Sequence, residues 1–385
     1  MEFSTVLILI AILASTTTMT LGAAIRIRMQ QGPVKPDSYI VVLKSGVNME
    51  DHIESITRIS ARSPGSEFSI THRFGFLNGY SAHATAASLT RILISSEVDY
   101  VEADGIVSVN YDHQEDANDV SVGMGDDLAR IQGRGPAQGD GDGATIFVID
   151  SGIFVGHILL AGRSVWGASV GGWPLVDKNG HGTCLAGIVA RIAPSATLVA
   201  VRVTDDNDVA SDSALILGIN YARLQYSKLP GPAIVLVSWT TPPCQALDRM
   251  IRKTIASGLH VVVSAGNDAS DAKNFSPGSV VEAIIVGAVD SCYRMAWFSN
   301  WGPSITVSAQ GVNIRSASIS GRTAWTTASG TSMSAARVAG LVAAAAGRSV
   351  TPAALKAALI THALPAIWPK REDTTDLVAM PFRLE

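Results

Sequence analysis

The pattern of apolar and polar positions begins with an N-terminal apolar run. Residues 6–14 are continuously apolar, and a stretch ending in the small residues of Leu21-Gly22-Ala23-Ala24 follows them. This order is typical of a secretion signal and its cleavage site. The run is shorter than the roughly 18–20 residues that a membrane-spanning helix needs, which favours cleavage over anchoring. We therefore expect residues 1–24 to be removed and the protein to be secreted into the extracellular space.

Residues 25–112 show two interleaved periodicities. Alternation typical of strands occurs in four segments, and apolar residues at helical spacing occur in two. The strands are predicted at residues 38–43, 68–74, 79–85 and 99–109, and the helices at 49–62 and 87–98. The order βαββαβ predicts a small α+β domain of the ferredoxin-like type. The polar, acidic stretch 111–126 then indicates an exposed linker that a protease can cut.

From about residue 127, apolar β-rich runs alternate with helical stretches. Such runs are typical of parallel strands that are buried on both faces. The strands are predicted at 144–149, 197–203, 233–238, 260–264 and 283–286, and the helices at 181–190, 212–225, 244–257, 332–346 and 352–361. We expect residues 113–385 to form an α/β domain with a doubly wound, mostly parallel sheet. Ligands of such a sheet bind beyond the carboxyl ends of its strands.

Composition and charge narrow the range of partners. Apolar residues make up 47% of the 385 residues and charged residues 16%, which indicates large cores. The net charge is −4 and no cluster of Lys and Arg stands out, so neither a nucleic acid nor an anionic membrane is an expected partner. Cys184, Cys244 and Cys292 allow at most one disulfide within the chain, and the pairing stays open. We expect Cys184 to be a small buried residue.

Three residues with candidate chemistry stand at the edges of predicted elements. Asp150 ends an apolar strand, His181 lies between Gly180 and Gly182, and Ser332 begins an Ala-rich helix. Taken singly, the first two are more often turn residues and the third is more often a helix cap. Together they supply a nucleophile, a general base and a carboxylate that orients the base, which is the set that acyl transfer requires.

Four collinear motifs carry a resemblance to a known family. They are Val148-Ile149-Asp150-Ser151-Gly152-Ile153, Asn179-Gly180-His181-Gly182-Thr183, Ser264-Ala265-Gly266-Asn267 and Ser329-Gly330-Thr331-Ser332-Met333. Over about residues 127–362 the chain resembles the subtilisin-like serine proteases (subtilases, peptidase family S8), in their proteinase K-like branch. The order Asp, His, Ser is that of subtilisin. Residues 25–112 resemble the family's I9-type inhibitory propeptide, which implies that the chain inhibits itself until it is cut.

The resemblance implies a role for each residue of the site. Ser332 is expected to attack the scissile carbonyl, His181 to accept and return its proton, and Asp150 to orient the imidazole. Asn267 matches the side-chain donor of the family's oxyanion hole, and the backbone N–H of Ser332 would be the second donor.

The resemblance also implies where substrate binds. The family pairs an extended peptide with a Gly-rich segment and a Ser-Leu-Gly segment, by strand addition. The matching positions here are Asp208-Val209-Ala210 and Ser238, Trp239 and Thr240, and the lost glycines predict a narrowed or reshaped cleft. A further set matches the primary specificity pocket and implies an apolar P1 residue: Ser264, Ala265, Gly266 and Phe275.

Three positions depart from the family pattern. Arg337 lies on a helix expected to be buried, where a charge needs a partner or water. Cys184 stands after the His181 motif, where the family has His. Thr306 stands where the family has a carboxylate ligand of calcium, so calcium is possible by resemblance but no metal or other cofactor is expected.

The leading hypothesis is therefore a secreted serine endopeptidase made as a zymogen and released by a cut near residues 110–126. Its expected partners are a polypeptide substrate and its own propeptide. One alternative is a non-catalytic homologue that binds peptides or a partner protein, which the altered cleft and Arg337 favour. Another is a protease that processes a single precursor, since the same chemistry in a narrowed cleft gives narrow specificity.

Overall fold

A computed structural model describes residues 25–108, 113–116, 139–347, 349–369 and 371–384. The predicted signal, residues 1–24, and most of the predicted linker lie outside the described residues. No helix within the described part of the chain is both long enough and apolar enough to cross a bilayer.

The N-terminal domain has the predicted βαββαβ order with one short strand in front. Its elements are β1 (Ile27–Arg28), β2 (Val34–Leu43), α1 (Met49–Ser60), β3 (Phe68–Phe74), β4 (Gly79–Ala84), α2 (Ala86–Leu93) and β5 (Val98–Ser108). The strands lie in the order β1-β5-β2-β4-β3, and the four longer ones pair antiparallel. The ferredoxin-like prediction is confirmed.

The second domain has the predicted alternation of strands and helices. Its strands are β6 (His113–Asp116), β7 (Thr145–Asp150), β8 (Ser164–Ser169), β9 (Thr197–Arg202), β10 (Val209–Ser211), β11 (Ala233–Val237), β12 (His260–Ser264), β13 (Ile284–Val289), β14 (Val307–Gln310), β15 (Ile314–Ala317), β16 (Trp325–Ala328), β17 (Leu364–Pro365) and β18 (Leu377–Val378). Its helices are α3 (His181–Ile192), α4 (Asp212–Tyr226), α5 (Gln245–Ala256), α6 (Thr331–Ala345) and α7 (Pro352–His362), with a 3₁₀ turn at Ala272–Asn274.

The main sheet has nine strands in the order β17-β18-β14-β13-β12-β11-β7-β9-β8. All neighbours are parallel except β17 and β18. Helices α3 and α6 pack in the core on one face, and α4 and α5 pack in the core on the other. The doubly wound, mostly parallel sheet is therefore confirmed. One detail was not predicted, because residues 113–116, within the stretch expected to be a linker, form the strand β6 and pair antiparallel with β16.

The two domains share one hydrophobic core. Side chains from the β2–β5 sheet, among them Ile40, Phe74 and Tyr100, lie in the same buried cluster as Leu215 of α4 and Met250 of α5. The N-terminal sheet is therefore packed directly on these two helices. The three cysteines are all described and form no disulfide: Cys184 and Cys244 are buried, as predicted for Cys184, and Cys292 is exposed.

Candidate active site

Asp150 is the last residue of the central strand β7 and is completely buried. Its carboxylate accepts hydrogen bonds from the ring Nδ1 of His181, from the hydroxyl of Ser238 and from the backbone N–H of Ser151. Burial opposes ionisation, but the charge of His181 and these hydrogen bonds together hold the pKa of Asp150 below its usual value. The carboxylate is therefore available to orient and stabilise a protonated imidazole.

His181 is the first residue of α3 and only 3% exposed. Its Nδ1 lies 2.9 Å from Oδ1 and 3.0 Å from Oδ2 of Asp150. The next residue must be glycine, because a Cβ on Gly182 would collide with the carbonyl oxygen of Gly152. This close approach sets the start of α3 directly on the turn that follows Asp150.

Asp177 fixes the start of α3 and was not predicted from the sequence. Its Oδ1 accepts the N–H groups of Asn179 and Gly180, and its Oδ2 accepts the N–H and the hydroxyl of Thr183. One buried carboxylate thus receives four donors around His181. An acidic residue shortly before a helix is a known start signal, and that signal was present in the sequence.

Ser332 lies in the first turn of α6 and is 7% exposed. Its hydroxyl donates to the backbone carbonyl of Ser238, at 3.2 Å. Ser238 therefore contacts two members of the predicted triad, because its hydroxyl donates to Asp150 while its carbonyl accepts from Ser332. The sequence predicted Ser238 only as part of a substrate-binding segment.

The orientation of Asn267 follows from the neighbours of its amide. Its Oδ1 accepts the backbone N–H of Thr331 at 2.9 Å and the Thr331 hydroxyl at 2.8 Å. A backbone N–H only donates, so the oxygen must face Thr331 and the amide nitrogen must face the other way. A Cβ built on Gly330 would lie 3.4 Å from this nitrogen and 3.8 Å from the backbone nitrogen of Ser332, so both nitrogens lie close to the same side of Gly330.

One cleft brings most of the predicted residues together. Its lining includes His181, Ser332 and Asn267 together with Ser238, Trp239, Thr240, Ser264 and Gly266. Ala265 is buried in the core behind this wall, and Phe275 is not part of the lining. Trp239 is 2% exposed and donates its ring N–H to the carbonyl of Ile149, so it packs as well as lining the cleft.

The end of the N-terminal domain lies in the same cleft. Strand β5 pairs antiparallel with β10, with Ile106 opposite Ser211, Val107 opposite Ala210 and Ser108 opposite Val209. Val107 and Ser108 belong to the cleft lining alongside His181 and Ser332. Asp208, where the family resemblance places glycine, has φ +60, so it adopts the left-handed conformation that glycine favours.

Two acidic side chains of β5 bind the starts of α4 and α5. Asp104 accepts the N–H and hydroxyl of Ser213, and Glu102 accepts the N–H groups of Gln245 and Ala246. Both carboxylates are almost completely buried. Carboxylates at helix N-termini satisfy N–H groups that lack an acceptor within the helix and match the helix dipole. The N-terminal domain is thus fixed to the starts of two helices of the larger domain.

Comparisons with known proteins agree with this architecture. The family described as "Subtilase family" matches residues 141–380, and "Peptidase inhibitor I9" matches residues 38–110. Subtilisin-like protease 1 of Pseudogymnoascus destructans is 37% identical over 321 residues, which cover 80% of this chain and 79% of that protein. Subtilisin-like protease 4 of Trichophyton equinum is 34% identical over 364 residues, covering 89% and 90% of the two chains.

Two solved structures are similar. A cold adapted subtilisin-like serine proteinase is 31% identical, with a TM-score of 0.59, and the match covers 64% of this chain and 91% of that one. Fervidolysin of Fervidobacterium pennivorans has a TM-score of 0.73 at 17% identity, and the match covers 93% of this chain and 62% of that one. At this identity the similarity shows the fold alone. From these matches, the chain belongs to the subtilase family of serine endopeptidases, with an I9 inhibitor domain preceding its peptidase domain.

Proposed function

We propose that this protein is a secreted endopeptidase, made as a self-inhibited precursor, that uses Asp150, His181 and Ser332 as its catalytic triad. The observation that carries the proposal is the pairing of β5 with β10, which leads Val107 and Ser108 into the cleft that His181 and Ser332 line. A peptide substrate adds to β10 in the same way once the N-terminal domain has left. Inhibitor and substrate therefore compete for one strand position.

The chemistry follows from the contacts of the triad. The Ser332 hydroxyl turns from the Ser238 carbonyl towards the imidazole, attacks the scissile carbonyl and gives its proton to His181. Asp150, held as a carboxylate, stabilises the imidazolium through Nδ1. The proton then passes to the leaving amine, the C–N bond breaks and an acyl ester of Ser332 remains. Water, deprotonated by His181, hydrolyses the ester and regenerates the hydroxyl.

The oxyanion of each tetrahedral intermediate is stabilised by two donors. These are the side-chain amide of Asn267 and the backbone N–H of Ser332, whose nitrogens both lie close to Gly330. The Thr331 bonds to Oδ1 hold the amide in place before substrate arrives. Donors that are fixed in advance need no reorganisation when charge develops, and this makes them effective in catalysis.

For the residue before the scissile bond we propose an apolar side chain. The wall of the cleft includes Ser264, Gly266 and Thr240. A Cβ on Gly266 would collide with the side-chain amide of Asn300, so only glycine fits at this position of the wall. The support for an apolar side chain is the resemblance of Ser264, Ala265, Gly266 and Phe275 to the family's primary specificity pocket. A series of peptide anilides that differ only at P1 tests this: we expect Leu and Phe to exceed Asp and Lys in kcat/KM, and a flat or inverted series would contradict it.

We further propose that residues 1–24 direct secretion and that a cut near residues 110–126 releases the inhibitor. The support is the apolar run at 6–14 and the position of Ser108 in the cleft, directly before this region. N-terminal sequencing of the exported, active protein tests both cuts. A mature N-terminus outside residues 110–127 would contradict the second.

The decisive test of catalysis is covalent labelling by a fluorophosphonate probe. We expect the mature protein to be labelled and to hydrolyse peptides, and the Ser332→Ala variant to do neither. If wild type and Ser332→Ala show equal, negligible turnover and labelling, the protein is a non-catalytic binder instead. The loss of glycines at Asp208, Ala210 and Thr240, which predicts a narrowed or reshaped cleft, also favours a protease with few substrates, and a peptide-library profile distinguishes this from a broad protease.

A further inference from the structure

Lys356 on α7 makes two contacts that tie separate parts of the chain together. Its Nζ donates hydrogen bonds to the backbone carbonyls of Val281 and Ala283, each at 2.6 Å. Both carbonyls belong to the segment that leads directly into β13. Their oxygens converge on the ammonium from positions two residues apart in the chain, and the ammonium supplies a separate N–H donor to each.

Thr306 lies at the same place and precedes β14. Its hydroxyl accepts the N–H of Ile285 at 3.1 Å and lies 3.5 Å from the carbonyl oxygen of Ala283. Thr306 is 6% exposed, and its backbone N–H also donates to the carbonyl of Ile285. The carbonyl of Ala283 therefore faces both the ammonium of Lys356 and the hydroxyl of Thr306.

Calcium does not fit this set of groups. A calcium ion takes six to eight oxygen ligands, normally including carboxylates. Thr306 brings a neutral hydroxyl where the resemblance to the family implies a carboxylate, and the neighbouring carbonyl of Ala283, like that of Val281, is already bound by the ammonium of Lys356. A divalent ion would have to displace a positive charge and would gain no negative one.

We propose that Lys356 is a built-in cation that replaces a calcium ion, so that this part of the peptidase domain is stabilised without a metal. The charge is compact, carries three donors and is covalently attached through α7, so it cannot be removed by a chelator. It connects α7 to the segment before β13. The Ala283 carbonyl of that segment also faces the hydroxyl of Thr306, the residue before β14.

Charges around the ammonium agree with this role. Glu282 lies between the two carbonyl residues in the chain, is half exposed and forms an ion pair with Arg252, at 3.5 Å. Burial lowers the pKa of Lys356 to about 8, and the Glu282 carboxylate opposes that shift. The ammonium form therefore predominates at neutral pH.

The test uses the full chain with Ser332→Ala, so that neither self-cleavage nor the catalytic proposal affects the result. Lys356→Met keeps the volume of the stem and removes the charged donor from both carbonyls. Because two charge-assisted hydrogen bonds are lost, we expect the apparent melting temperature to fall by roughly 5–10 °C. Lys273→Met, at a lysine that is 61% exposed, is the matched control and should change it by less than about 2 °C.

A second variant tests for a cation site rather than an ordinary loop contact. The double variant Lys356→Ala/Thr306→Asp removes the ammonium and supplies the carboxylate. We expect the double variant to melt at a higher temperature in millimolar calcium than in EDTA. This difference in melting temperature should be larger for the double variant than for the parent or for Lys356→Ala. The proposal is overturned if Lys356→Met melts like Lys273→Met, or if the double variant responds to calcium no more than the parent does.

Discussion

The Glu102 carboxylate of the I9 domain accepts the backbone N–H of Ala246, at 2.8 Å, in the first turn of α5. It also accepts the N–H of Gln245, at 2.9 Å. The residue that precedes the helix, Cys244, gives no side-chain cap of its own. The first turn of a peptidase helix is therefore capped by a residue of the propeptide, which links inhibition of the cleft to the stability of the helix.

Removing this cap should loosen the inhibitor. In the Ser332→Ala full chain, we expect Glu102→Ala to lower stability by about 2–3 kcal/mol, because buried N–H groups lose their acceptors. Thermal melting measures the change. Glu54→Ala is the control, since Glu54 is a glutamate of the same domain that is 73% exposed and pairs only with Arg58. Equal melting of the two variants would show that the cap contributes nothing.

Asp212, at the start of α4, gives the interface between the domains a dependence on pH. The Gln30 side-chain amide of the I9 domain donates to it. Burial, and then the charge of Asp104, raise the pKa of Asp212 to about 7. Once the I9 domain has left, Asp212 meets water and its pKa returns towards the ordinary value near 4.

The docked form therefore holds a proton that the separated form releases. The I9 domain therefore binds the peptidase domain most strongly below about pH 4. Its binding weakens as the pH rises from about 4 to about 7 and is weakest above about pH 7. We predict that the cut, still-associated precursor releases its inhibitor faster at pH 8 than at pH 5, measured as active enzyme after transfer of samples to a common assay pH. Asp212→Asn should flatten this profile, and an unchanged profile in that variant would assign the dependence to other groups.

The side-chain amide of Asn267 has two functions: its oxygen accepts hydrogen bonds from Thr331, and its nitrogen is proposed to donate to the oxyanion. In subtilisin, loss of the matching donor reduces kcat about 10²–10³-fold, and we expect a similar loss here for Asn267→Asp with little change in KM. The aspartate keeps an oxygen for the Thr331 contacts but has no N–H for the oxyanion. If Asn267→Asp retained wild-type kcat while Asn267→Ala did not, the residue would be structural only.

Ser238 tests whether a residue predicted for substrate binding acts instead on the triad. Ser238→Ala removes a hydrogen bond to the buried Asp150 carboxylate but keeps the backbone carbonyl. A charge-assisted bond of this type contributes about 1.5–3 kcal/mol, so we expect kcat to fall roughly 10- to 100-fold with KM nearly constant. A rise in KM at constant kcat would return Ser238 to a purely substrate-binding role.

Much of the fold could be predicted because its signals are local. The period of apolar residues located the four longer strands of the N-terminal domain and five of the nine strands of the main sheet, but not β8 or β14. Asp150 at a strand end and Ser332 at a helix start followed from the same pattern. The boundaries were less accurate: the second helix was predicted to reach residue 98, but α2 ends at Leu93 and β5 begins at Val98.

Contacts between distant parts of the chain could not be predicted from this pattern. Glu102 and Asp104 appear in the sequence only as acidic residues within a strand, and nothing local shows that they bind helices more than 100 residues away. Lys356 likewise appears as one charge on a mostly apolar helix. Their partners are backbone groups, which carry no residue-specific signal.

The Glu102 contact with α5 also bears on the order in which the chain folds. The carboxylate and the N–H of Gln245 are separated by 143 residues, so the contact closes a very long loop. Contacts of such high sequence separation form slowly unless one partner is already structured. The I9 domain is synthesised first, so we expect its sheet to hold Glu102 in place by the time α5 emerges. We expect the peptidase domain refolded alone to regain its structure more slowly than the full chain. The I9 domain would then speed the folding of an enzyme from which it is later removed.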